Sequence, residues 1–128
     1  LIEVAARSIG GLCSRAITFG AGMSLEELIL RHALSLPLTD LERAPGASGV
    51  MMLPIPRSGV LREVAGRDEA LAVAGIAGLE ITIPPGREVR ALPEGDRYLG
   101  FLFARADTPA EVEAALRAGS ARLDVRID

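Results

Sequence analysis

Glu3 and Arg7 are the first residues in the sequence whose types and spacing could do chemistry, in the stretch LIEVAARSIGGL. Read as a strand, this stretch places Glu3 and Arg7 on one face with Leu1 and Ala5, while Ile2, Val4 and Ala6 form an apolar face that can pack on a core. A carboxylate and a guanidinium so placed can form an ordinary salt bridge. They can also work on a substrate. The carboxylate would hold a hard cation such as Mg²⁺, which takes oxygen ligands and shares its shell with substrate phosphates; the arginine would meet an anionic intermediate. Gly10 and Gly11 follow, and two glycines let a ligand approach the backbone and meet its amides. The same pair also serves as a plain turn.

Composition narrows the remaining chemistry. All 14 basic residues are arginine and the formal net charge is −3. Mechanisms that need a lysine, from Schiff bases to the lysine that grips nucleotide phosphates, are therefore excluded for this chain. The acidic balance also disfavours nucleic acid as a partner, since phosphate binding wants a dense basic face. One cysteine and one histidine make neither an internal disulfide nor a zinc cluster. A reduced, cytoplasmic setting is expected, with no membrane partner, because no apolar run approaches the ~18 residues of a span. His32 and Cys13 read as structural, the latter as a small apolar residue near the Gly-Gly turn. Arg57 reads as a solvated turn residue, with reach to a ligand as the alternative. Tyr98 and Phe101 read as core or interface.

The elements that must position these residues fall into three zones. Residues 1–40 read as strand, turn and helices. One short helix is expected from Leu12 to Phe19, ending at Gly20. A clearer one lies in MSLEELILRHALSL, where Ser24 and Glu27 have capping-box spacing and Leu25, Leu28, Ile29 and Leu36 share a face. Residues 41–49, rich in Pro, Gly and small polar side chains, read as a linker. Residues 50–128 alternate strands with two short helices. Asp68 can cap the first of these. The second has Thr108 as N-cap, Pro109 at its first position, Glu111 to complete a capping box and Gly119 as terminator. The fold class expected is α+β, with a mostly antiparallel sheet and both helices on one face.

The strand IEVAAR followed by IGG resembles the last core strand of the ATP-grasp ligases, with its Glu-x-Asn-x-Arg pattern. GLCSRAITFGAGMSLEELILRHALSL resembles the helical segment that follows it there. GVMMLPIPRSGVLREV, ITIPPGREVRALPEGDRYLGFLFARADTPAEVEAALR and the final strand resemble the C-terminal domain of the amino-acid ligase branch. This resemblance implies that residues 1–40 are the end of a catalytic domain and residues 50–128 a C-terminal domain. It further implies ATP and Mg²⁺ as cofactors in a longer parent enzyme, and small-molecule carboxylate and amine substrates joined through an acyl-phosphate. Glu3 matches the Mg²⁺-holding carboxylate and Arg7 the arginine facing the acyl-phosphate and its tetrahedral adduct. Gly10 and Gly11 would lie beside the nucleotide. Ala5 stands where the pattern has Asn, which favours the amino-acid ligase branch over enzymes like biotin carboxylase or carbamoyl-phosphate synthase.

Two alternatives remain open at this point. One is a related ATP-grasp enzyme of the carboxylase or carbamoyl-phosphate type. The other is a non-catalytic α+β module that binds a small ligand or a protein. If the chain is a fragment, it is expected to be inactive alone, and the apolar side chains of Leu1–Val4 and of the Leu25–Leu36 helix invite self-association into a homo-oligomer.

Overall fold

Apolar residues at i, i+3, i+4 and i+7 build the core-facing stripe of a helix, and the last third of the chain has such a stripe. Helix α3, Pro109–Ser120, buries Val112, Ala115, Leu116 and Gly119. The computed structural model describes residues 8–20 and 22–128. They fall into two compact units that divide between Pro45 and Gly46. Helices α1 (Leu25–Ala33) and α2 (Arg67–Leu71) complete the helical set. The strands are β1 (Thr18–Phe19), β2 (Met23–Ser24), β3 (Ala47–Leu53), β4 (Gly59–Ala65), β5 (Ile76–Ile81), β6 (Glu88–Val89), β7 (Gly100–Ala106) and β8 (Asp124–Ile127).

The second unit has the expected α+β class, and its described strands pair antiparallel throughout. They form two sheets rather than one, in the orders β3-β7-β5 and β6-β4-β8. Leu53, Leu61, Val64, Val89, Leu102 and Ile127 from both sheets join Val112 and Leu116 of α3 in one apolar cluster. Strict alternation would put Leu61 and Val64 on opposite faces of β4. Both are nonetheless buried, because the register of β4 against β8 shifts between Leu61 and Glu63. A bulge of this kind inserts one unpaired residue and resets the facing of those that follow.

The ends of α3 depart from expectation at one terminus only. Thr108 caps it, with the reciprocal Glu111 bonds of a complete capping box and Pro109 in the first turn. Gly119, however, lies inside the helix and does not terminate it. A Cβ there would lie 3.0 Å from Ile76 Cδ1 and 3.1 Å from Leu102 Cδ2, so this glycine lets helix and sheet approach closely. Gly49 does the same from the sheet side, its absent Cβ falling 2.7 Å from Val112 Cγ1. Gly49 belongs to β3, so part of the stretch that reads as linker is strand, with Ala47 opposite Ala106. Asp68 is not the cap of α2 either. Gly66, left-handed at φ 77°, holds that position, and Asp68 falls in the first turn.

In the first unit, α1 starts where expected, the Ser24 hydroxyl accepting from the Glu27 N–H at 3.1 Å. Its capping box is half formed, because the Glu27 carboxylate pairs with Arg31 at 2.8 Å. The expected helix from Leu12 to Phe19 is shortened to a 3₁₀ turn, Cys13–Ala16, after which Ile17 is extended. Thr18 and Phe19 pair with Ser24 and Met23 as a small hairpin. β-Branched Ile17 and Thr18 favour the extended state, and Gly20 then ends a strand and not a helix.

Candidate functional site

Glu3 and Arg7 lie outside the described residues. Gly10 and Gly11 lie within them, both exposed to solvent. Gly11 is left-handed, at φ 64°, a conformation that residues with a Cβ rarely adopt. The turn it makes runs directly into the 3₁₀ helix, where the Arg15 N–H donates to the Leu12 carbonyl at 3.1 Å and the Ile17 N–H to the Ser14 carbonyl at 2.9 Å. Residue type and position thus fix the backbone after the glycine pair within two turns.

Ser14 is the anchor of this region. It is only 4% exposed although polar, and its hydroxyl donates to the carboxylate of Glu26 in the first turn of α1. That bond holds the Glu26 carboxyl below the usual carboxylate range, aided by its own backbone amide, the Ser24 hydroxyl and the charge of Arg15, with burial opposing. A carboxylate stabilised in its charged form is a poor proton acceptor. Glu26 therefore acts as a tie between the glycine turn and α1, not as a general base. A groove of about 400 Å³ lies elsewhere in the first unit, lined by Phe19, Met23, Glu27, Arg31, Pro37 and Asp40 among others. The ion pair along it, Glu27 with Arg31, belongs to the surface of α1.

The other residues singled out by sequence fall as follows. Cys13 carries a free, half-buried thiol. His32 is exposed in the last turn of α1. Arg57 is exposed in the turn between β3 and β4, while Phe101 is buried and Tyr98 half-buried. The Ser14–Glu26 contact had no signal in sequence. The capping-box rule selects Glu27, three residues after Ser24, and nothing local links Ser14 to its neighbour. Among the described residues no group of three His, Cys, Asp or Glu side chains could hold a metal, and no helix is long and apolar enough to cross a membrane.

The architecture, two small antiparallel sheets with a capped helix packed on one of them, is that of the C-terminal region of ATP-grasp ligases. Residues 51–128 match the family L-amino acid ligase C-terminal domain 2, and the chain belongs to that family. Among solved structures, the chain is similar to an L-amino acid ligase from Bacillus licheniformis, with a TM-score of 0.68, 20% identity, 89% of this chain covered and 28% of that one. It is likewise similar to the N5-carboxyaminoimidazole ribonucleotide synthetase from Thermotoga maritima, with a TM-score of 0.61, 20% identity, 83% of this chain and 28% of that one. Both likenesses cover more of this chain than its second unit makes up, so the shared backbone reaches into the first. The chain spans 28% of the length of each of these proteins. No curated protein matches it.

Proposed function

We propose that the chain acts as the C-terminal part of an ATP-dependent ligase that joins a carboxylate to an amine, in a cytoplasmic setting. The match of residues 51–128 to the C-terminal domain 2 of L-amino acid ligases carries this reading. In the reaction, the substrate carboxylate takes the γ-phosphoryl group of ATP, releasing ADP and leaving an acyl-phosphate. The amine nitrogen then attacks the carbonyl carbon, the C–O bond to phosphate breaks with its electron pair on phosphate, and the amine proton passes to a base. The product is an amide or a peptide bond.

This chain's own contribution is electrostatic. Arg7 meets the oxyanion of the tetrahedral adduct, where a fixed positive charge counts most in the transition state. The exposed turn at Gly10 and Gly11 offers backbone amides to phosphate oxygens. Glu3 is the side chain suited to hold Mg²⁺, which when bound neutralises charge on the transferring phosphoryl group. Glu26 of the first unit is engaged by Ser14.

Steady-state assays on the enzyme that carries this chain test the reading. Glu3→Gln should abolish phosphate release, and Arg7→Ala should slow amide formation by roughly 10²–10³-fold. Activity within about threefold of wild type, ~0.7 kcal/mol in barrier, would remove the role of the residue concerned. The 128-residue chain alone should show no Mg²⁺-ATP binding tighter than about 10 μM, ~7 kcal/mol, in isothermal titration. Tighter binding would place the nucleotide site within this chain.

A further inference from the structure

A groove in the second unit carries none of the residues given a role in the ligase reaction above. It measures about 650 Å³ and is bounded by the segments on either side of β6. Sites for small ligands typically span ~300–1,000 Å³. Its charged lining is mixed, with Arg87, Arg90 and Arg97 against Glu88, Glu94 and Asp96. Arg97 and Asp96 pair with each other at 3.1 Å. Among the described residues, Arg87, Arg90, Glu88 and Glu94 carry no ion pair. Four charges of both signs thus line one groove without neutralising one another. Its apolar floor includes Ile83 and Val89, both buried.

The walls are held in place by backbone and side-chain bonds. The Gly86 N–H donates to the Leu61 carbonyl at 2.7 Å, the Leu61 N–H to the Arg87 carbonyl at 2.9 Å, and the Thr82 N–H to the Leu99 carbonyl at 3.0 Å. On the opposite segment, the Gly95 N–H donates to the Ala91 carbonyl at 2.9 Å, and the Ala91 N–H to the Ser58 hydroxyl at 3.0 Å. Fixed walls reduce the ordering that a ligand would otherwise impose. The arginines act on the one paired carboxylate of the lining: Arg97 first, then the Asp96 amide and the charge of Arg90, hold the Asp96 carboxyl below its usual range.

A plain anion drawn to the arginines would meet the two unpaired carboxylates, and a plain cation would meet the guanidiniums. A ligand carrying both charges satisfies both sets. We propose that this groove binds a small zwitterion, an α-amino acid or short peptide, with its carboxylate on Arg87 and Arg90 and its ammonium on Glu88 and Glu94. The bidentate fit of guanidinium to carboxylate sets the orientation. All four side chains are solvent-exposed, so binding is weak, in the millimolar range, and weakens further with salt.

The test is a titration of the 128-residue chain followed by backbone amide NMR, with alanine and dialanine as probes. Acetate, ethylammonium, inorganic phosphate and N-acetylalanine amide serve as comparisons. Saturable shifts confined to residues 82–97 are expected with a zwitterion, at least tenfold tighter than with any of the four comparisons. Alanine against dialanine then distinguishes a free amino acid from a peptide end. The Arg87→Ala, Arg90→Ala double variant and the Glu94→Gln variant should each lose at least tenfold in affinity while resonances outside the groove stay in place. No saturable shift below about 20 mM, or acetate or phosphate binding as tightly as the zwitterions, overturns the proposal. So does the blocked amide binding equally well. The proposal stands on the charges of the groove alone, so a blank titration leaves the ligase reading intact, and loss of the Glu3 or Arg7 roles leaves the groove unaffected.

Discussion

A methyl group added at Gly49 tests how helix α3 seats on its sheet. The new Cβ would lie 2.7 Å from Val112 Cγ1 and 3.4 Å from Leu116 Cδ1, whereas carbon atoms pack best at about 3.5–4.0 Å. Val112 must therefore retreat by close to ~1 Å. It has little room to do so, being 5% exposed, and a valine in a helix is confined almost wholly to one χ1 rotamer. Overpacking of this kind costs about 1–3 kcal/mol. Against it stands the ~0.5–1 kcal/mol gained by replacing a glycine inside a strand. Gly49→Ala should then destabilise the second unit by about 1–2 kcal/mol net. Val112→Ala alone removes two buried carbons, about 1.6 kcal/mol by transfer, before any cavity term. In the double variant the methyl at 49 occupies the space that valine vacated, so it should be about as stable as Val112→Ala alone. Urea unfolding read from NMR resonances of β7 isolates the second unit. Effects that add within about 0.5 kcal/mol would mean the two positions do not touch, and the account of close packing through Gly49 would fail.

Three further outcomes are expected. Thr108→Ala should cost about 0.5–2 kcal/mol through loss of the α3 cap, with Thr108→Ser close to wild type, both measured by the same urea titration. The Glu26 carboxyl should titrate below the ordinary glutamate range in an NMR pH series, and Ser14→Ala should move it back up; the stability it contributes is present above its unfolded-state pKa and lost as the pH falls through its folded one, so equal titration in both proteins would dissolve the Ser14 tie. Ile29, Leu30, Leu34 and Leu36 are exposed on and just beyond α1, an apolar surface of a kind that seldom stays solvated; light scattering should show concentration-dependent self-association of the 128-residue chain, reversed by Leu30→Glu with Leu34→Glu, and a monomer at all concentrations would refute it.

Local grammar decided a good deal of this molecule in advance. The α3 cap, Thr108–Pro109–Glu111, acts between residues three apart or nearer, so its bonds are legible from sequence and the structure holds them all. The Ser24 cap of α1 is legible for the same reason. That residues 50–128 alternate strands with two short helices was legible too, because period-two facing needs no knowledge of the partner strand. The ordered series of motifs along the chain was enough to point to the ligase family.

What sequence could not decide depends on contacts between distant segments. Gly119 and Gly49 look like a helix stop and a linker residue. Only the docking of α3 on β3, β5 and β7 shows them to be the places where a Cβ would collide. The bulge in β4 arises from its pairing with β8, more than sixty residues on, and it alone reconciles Leu61 and Val64 on one core. Glu26 is a better partner than Glu27 for a buried hydroxyl because the 3₁₀ turn places Ser14 beside it, a proximity with no sequence period to announce it. The groove beside β6 gathers charges from a run that reads locally as turn and short strand. A helix cap closes within one turn of chain, so its residues must be neighbours in sequence. A sheet register or a groove closes only when remote segments meet, and the residues that make it need share no spacing at all.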